Sequence, residues 1–225
     1  DLLGVRALYP VAGTAAFGPR ALVANTLRLR RRKGTALVLE ELAFDTTGWR
    51  ARAVEFFERV ATTQYLNHPR PHALRTPDLR QPRPLSRIDG PFGNELHTAD
   101  VRALPAGRYN LPNVGLFLWR LQACPVQRAS ARAATTRPGF YTFDPLGLDQ
   151  PLFNRPRSET DISHLAEPIN VPEALNWHDL HAELEARRQA LTDGEDPDDR
   201  YFADAAGGPV LRVWVDGQVV PTEHL

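Results

Sequence analysis

Any chemistry in this chain must come from a few histidines and acids and one cysteine. His178 and His181 lie three apart in a segment that reads as a helix, with Asp179 and Glu183 beside them. That spacing puts both imidazoles on one helix face, but catalytic zinc needs a third protein ligand and no residue supplies one at a fixed offset. A solvated helix face is the stronger reading. His97 and Asp100 stand near a strand-like segment and could do acid–base work, but no nucleophile accompanies them in a known order. Asp144, Asp149 and Asp161 could supply the carboxyl pair of glycoside cleavage, yet turn formation explains the first two more simply. Cys124 is the single cysteine. It excludes an internal disulfide framework and a cysteine-rich zinc site, and reads as a buried thiol. A glycine-rich phosphate loop, G-x-S-x-G and H-E-x-x-H are all absent. Trp49, Trp119, Trp177 and Trp214 are spread over all the expected elements and read as core packing rather than a stacking platform. No catalytic residue, metal ligand or cofactor is assigned from the sequence.

Arg28–Lys33 packs five positive charges into six residues. Such a run could contact phosphate, but no wider basic patch or interleaved aromatic residue accompanies it. A solvated helix end, or a docking patch for an acidic protein surface, is the better reading, and no nucleic acid is expected.

The elements that would position these groups centre on residues 25–65. Pro19 suits the first turn of a helix. Leu22, Val23, Thr26, Leu27 and Leu29 follow a helical stripe that ends in the basic run, where cations complement the helix dipole. Gly34 fits the stop and Thr35 the next N-cap. The second helix should bury Val38, Leu39, Leu42 and Ala43, expose Glu40 and Glu41, and end near Thr46, Thr47 and Gly48. A third helix is predicted after Trp49, with Ala53, Val54, Phe57, Val60, Ala61 and Tyr65 at 3–4 residue spacing. About a dozen large apolar side chains are too few to close a core around three helices. The stripes should therefore pack on other chains, with Leu22, Thr26, Leu29, Arg30, Arg31, Lys33, Leu39, Leu42, Val54, Phe57, Val60 and Tyr65 as the candidate interface.

Six prolines punctuate residues 67–91. They exclude a long helix and predict an extended arm. A β-rich region follows. His97–Leu104 reads as a strand, and Asn113–Cys124 as a longer one buried on both faces. Shorter strands are expected at 131–136 and 139–143. A helix should run from Pro172 to Gly194, and a hairpin should turn on Asp216-Gly217. The fold class is α+β: a helical segment over 1–66, a proline-rich arm over 67–91, and a β-rich domain with one longer helix over 92–225.

ANTLRLRRRKGTALVLEELAFDTTGW, Ala24 to Trp49, resembles the tail protein I family of contractile-tailed phages. That family carries a helix, a basic R-K-G-T turn, a helix and a glycine-containing break. Asp1-Leu2-Leu3-Gly4 is similar to the segment preceding this region in related proteins of contractile injection systems. GRYNLPNVGLFLWRLQACPVQR, Gly107 to Arg128, is similar to a β-rich region in longer relatives from such particles. The resemblance implies a structural baseplate wedge subunit rather than an enzyme. In that family the subunit joins copies of another wedge protein through a helical bundle and links hub to sheath. The expected partners are therefore other wedge subunits, hub or spike proteins and sheath proteins within a large multi-chain assembly. The chain would be cytoplasmic on synthesis and then part of the particle. A wall-degrading enzymatic domain carried by such a particle, and a free protein-binding module, are the alternatives.

The chain has 225 residues with 27 basic and 27 acidic side chains. They are unevenly spread: residues 1–90 hold 15 Lys/Arg against 8 Asp/Glu, and residues 91–225 hold 12 against 19. Two regions with different partners, or two faces that meet, would explain this. No apolar run has the length of a membrane span, no signal peptide is visible, and direct membrane insertion is not expected. The chain contains no methionine, and its last residues open a hairpin and stop. Both features fit a piece of a longer protein.

Overall fold

The computed structural model describes residues 19–63, 66–68, 76–101, 107–121, 124–135, 137–144, 146–158, 164–203 and 209–225, with side chains of the first helix described from Val23. These residues belong to two compact units. The first draws on Asp1–Arg120 and Arg157–Val171, the second on Leu121–Pro156 and Pro172–Leu225. The class is α+β, with small antiparallel sheets and one longer helix near the C-terminus.

In the first unit, α1 spans Pro19–Arg31 and α2 spans Ala36–Thr47. The break between them falls where Gly34 takes φ +95°, a conformation cheap only without a Cβ. Thr35 is the N-cap residue of α2, although its hydroxyl donates back to the Arg32 carbonyl instead of capping the new helix. Gly48, at φ 72°, closes α2, and its N–H donates to Phe44 O. Asn25 donates to Asp45 across the two helices at 2.8 Å, and Arg28 pairs with Glu41.

The predicted third helix is instead strand β1, Arg50–Glu55, followed by a 3₁₀ turn at Phe56–Arg59. Arg50-Ala51-Arg52-Ala53 alternates with period two, and a pairing strand is available far along the chain. That strand, β2, spans Val114–Trp119 and runs antiparallel to β1, Arg50 opposite Trp119 and Glu55 opposite Val114. Backbone pairing with a distant partner overrides the local 3–4 spacing of Val54, Phe57 and Val60. β2 is shorter than predicted and is not buried on both faces. Val114, Leu116 and Leu118 are exposed while Gly115, Phe117 and Trp119 are half-buried.

The core of this unit gathers Val54, Phe56 and Tyr109, with Val60 and Phe117 against it. Phe56 meets Tyr109 edge to face at 5.3 Å. A Cβ on Gly115 would fall 2.6 Å from the Phe56 ring, so this position of β2 is glycine because the ring lies on it.

Glu40, expected on the solvent side of α2, is buried. Its carboxylate accepts the Ala53 N–H at 2.7 Å and the Ala166 N–H at 2.9 Å, and Arg52 stands 3.8 Å away. A helix acid thereby satisfies two backbone donors that no strand reaches, and these offset part of its own desolvation. Leu39, expected to be buried, is exposed.

Within the proline-rich stretch, the described residues form one helical turn, α3, Pro82–Leu85. Arg59 holds the chain beyond it, donating to the carbonyls of Gly90 and Pro91 at 2.8 and 2.7 Å. Of the strand predicted over His97–Leu104, residues 102–104 lie outside the described residues, and among the others His97 makes an isolated parallel bridge to Val60.

In the second unit, β3 (Arg132–Ala133) pairs antiparallel with β4 (Tyr141–Thr142), shorter than the predicted segments. Helix α4 spans Trp177–Asp193, starting later than Pro172 because Asn176 caps it, its side chain accepting the His178 N–H. The terminal hairpin pairs β5 (Trp214–Val215) with β6 (Gln218–Val219). Asp216 and Gly217 carry φ 51° and 82°, the two positive φ values of a type I′ turn.

Candidate functional site

The antiparallel ladder of β1 and β2 fixes which backbone groups point where. Phe56 N–H donates to Asn113 O at 3.0 Å, and Ala53 N–H points away from β2 to Glu40. Alternation then directs the N–H and C=O groups of Gly115, Phe117 and Trp119 toward β1, and those of Val114, Leu116 and Leu118 outward. Among the described residues, the outward groups of these three make no hydrogen bond. Their side chains are 49, 44 and 38 % exposed. The outer side of β1 is closed by Glu40, whereas among the described residues nothing pairs with the outer edge of β2, which is apolar.

The interface residues expected from the sequence are divided by the fold. Thr26, Leu29 and Val54 are buried within the first unit, Val60 packs on its core, and Leu42 is half-buried. Leu39 and Phe57 are exposed, as are Arg30, Arg31 and Lys33. The Leu22 side chain and Tyr65 lie outside the described residues. Val23 and Leu27, four apart on α1, are also exposed and continue the line toward Arg30. The signal for the β2 edge lies in the alternation of VGLFLW, whose apolar residues on both faces suggest double burial while one face is in fact exposed.

If Arg30 and Arg31 dock on an acidic surface, reversing both to Glu weakens subunit association and steepens no salt dependence of DNA binding. Exposed pairs contribute only ~0–1 kcal/mol each, so the expected loss is about tenfold in affinity. Unchanged association over a salt series would return the run to a solvated helix end.

A second constellation lies beyond the proline-rich stretch. Glu95 and His97 are two apart in extended chain and so share a side. Asp89 joins them from the turn after α3, at φ 59°. One donor atom from each residue lies within 4.8 Å of the other two. His97 Nε2 is 3.8 Å from Asp89 Oδ1 and 3.8 Å from Glu95 Oε1, is buried, and makes no hydrogen bond among the described residues. The carboxylates are held from behind. Tyr109 O–H donates to Asp89 Oδ1 at 2.9 Å, and Asp89 N–H donates to Glu95 Oε1 at 2.7 Å. The Tyr109 ring stacks on His97 at 3.7 Å. Burial pushes the Tyr109 hydroxyl pKa up, with Arg108 opposing, so it remains a donor. Burial pushes Arg59 down, opposed chiefly by Glu95.

Asp100, which the sequence paired with His97, does something else: its carboxylate accepts the Arg108 and Tyr109 N–H groups. Glu95 carries no motif of its own in the sequence, although its spacing of two from His97 is legible. The other sequence candidates do not converge among the described residues. His181 is exposed, and Glu183 accepts the N–H groups of Arg200, Tyr201 and Phe202. Asp144 accepts from Leu146 N–H in its turn, and Asp161 lies outside the described residues. Cys124 is exposed, not buried, and Trp177 is exposed as well.

Comparisons of the chain with family models, curated proteins and solved structures return no match. Among the described residues, no helix is long and apolar enough to cross a membrane.

Proposed function

We propose that this chain is a structural subunit that assembles by accepting an extended strand from a neighbouring subunit on the outer edge of β2. One observation carries the reading. Among the described residues the sheet has two strands, one edge is closed by a buried carboxylate, and the other presents unpaired backbone groups beside Val114, Leu116 and Leu118. Two strands alone are marginal in water, and an open apolar edge is a template for a third. Strand addition uses the outward N–H and C=O groups for affinity and the alternating side chains for selectivity. Joined to the resemblance of Ala24–Trp49 to tail protein I, this supports a baseplate wedge subunit of a contractile injection particle, a non-enzymatic role. The other wedge proteins, hub and sheath are its proposed partners.

Leu116→Lys tests the reading. The ammonium places a charge on the open edge and leaves the β1 hydrogen bonds in place, a device natural edge strands use against pairing. The expected result is a soluble folded chain that no longer enters particles when co-expressed with the other subunits. Normal incorporation of Leu116→Lys would refute strand addition at this edge.

A further inference from the structure

Beyond this assembly role, the geometry points to a divalent metal site at Asp89, Glu95 and His97, taking an ion of the zinc–manganese class. The donor set is one imidazole nitrogen and two carboxylate oxygens, a mixture that suits zinc and its first-row neighbours better than the all-oxygen shells of calcium or magnesium.

Bonds of about 2.1 Å place two donors of one ion at most about 4.2 Å apart. In a tetrahedral site such bonds hold the donors about 3.4 Å apart, so the two separations of 3.8 Å to His97 Nε2 close by about 0.4 Å and the carboxylate pair, within 4.8 Å, by at most about 1.4 Å. His97 Nε2 carries the inference: it is a buried nitrogen without a hydrogen bond, between two carboxylates that are both too far to accept from it. A cation between the three atoms would give that nitrogen the partner it lacks, while each carboxylate oxygen keeps its present donor and offers its second lone pair.

The supporting contacts are those that hold ligands in place. Tyr109 orients Asp89, the Asp89 N–H orients Glu95, and Tyr109 fixes the imidazole plane by stacking. Gly93 makes the turn possible, since a Cβ there would sit 2.4 Å from Glu95 Oε1 and 2.7 Å from Arg87 O. Arg59 and Arg108 also face the cluster. Arg59 is committed to the Gly90 and Pro91 carbonyls and Arg108 donates to Asp89 O. Their charge lowers the affinity, so binding is weaker than the far tighter grip of a closed structural zinc site. Three protein ligands leave positions for water or for a donor from a neighbouring subunit.

The experiment uses the full chain, stripped with chelator and titrated with zinc by calorimetry, with cobalt(II) absorption as a second readout of ligand number. One zinc per chain is expected. His97→Gln and Asp89→Asn each weaken binding by about 30-fold or more, since even supporting residues are worth 10–100-fold. Asp89→Asn keeps an acceptor for Tyr109 and so preserves the fold. The pair His178→Gln and His181→Gln on α4 leaves binding unchanged. No zinc uptake by the wild-type chain, uptake indifferent to Asp89→Asn, or uptake lost only in the α4 variant would each overturn the site.

Discussion

Replacing Glu40 with alanine lowers the stability of the first unit by about 2–5 kcal/mol. The substitution strands two buried backbone donors, Ala53 N–H and Ala166 N–H, and each unsatisfied donor costs about 1–3 kcal/mol. It also removes the acid that ties α2 to residues 13 and 126 positions further along the chain. Glu40→Gln is milder, because one amide oxygen remains while the NH₂ group faces a second donor. Its stability difference from wild type also moves with pH. Burial holds the Glu40 carboxyl above its ordinary value of 4.5, against the two backbone donors and Arg52. A raised acid stabilises the folded state fully below 4.5, and that contribution is lost as pH rises through the raised value. Glutamine does not titrate, so the wild type gains on Glu40→Gln as pH falls from neutrality toward 4.5. Denaturant unfolding followed through the β1 and β2 amides reads both effects. A difference independent of pH would mean that Glu40 is as solvated as Glu41 was expected to be.

The second large effect is at Phe56. It fills the centre of the core between Val54, Tyr109 and Phe117 and is 4 % exposed. Phe56→Ala costs about 3–5 kcal/mol, the transfer of the ring plus the cavity it leaves. The β1–β2 register survives, because Phe56 pairs with Asn113 through its backbone N–H. Gly115→Ala presses on the same ring and costs about 1–3 kcal/mol by overpacking. Denaturation midpoints at unchanged slope are the readout for both. A loss below about 1 kcal/mol in Phe56→Ala would show that this cluster is not the centre of the unit.

Local punctuation was legible in the sequence. Gly34 and Gly48 stop their helices, and Asp216-Gly217 turns its hairpin, because each position demands a positive φ that few residues adopt. The failures share a different cause, a partner far away in sequence. Val54, Phe57 and Val60 mimic a helical stripe, and only β2, some 60 residues on, selects a strand over a helix for residues 50–55. Glu40 looks like a surface acid until the Ala166 N–H arrives. The alternation of Val114–Trp119 was visible, but whether its outer edge is covered depends on chains and segments that periodicity does not reveal. At the histidine cluster, the extended spacing of Glu95 and His97 was readable, whereas the positive φ that turns Asp89 toward them was not.

Amide hydrogen exchange along β2 tests the central claim most directly. In the free chain, the amides of Gly115, Phe117 and Trp119 point to β1 and exchange slowly, while those of Val114, Leu116 and Leu118 point outward and exchange fast. Within the assembled particle, strand addition protects all six. The predicted result is an alternating pattern that becomes uniform on assembly. Uniform protection already in the free chain, or alternation that persists in the particle, would contradict an edge that accepts a partner strand.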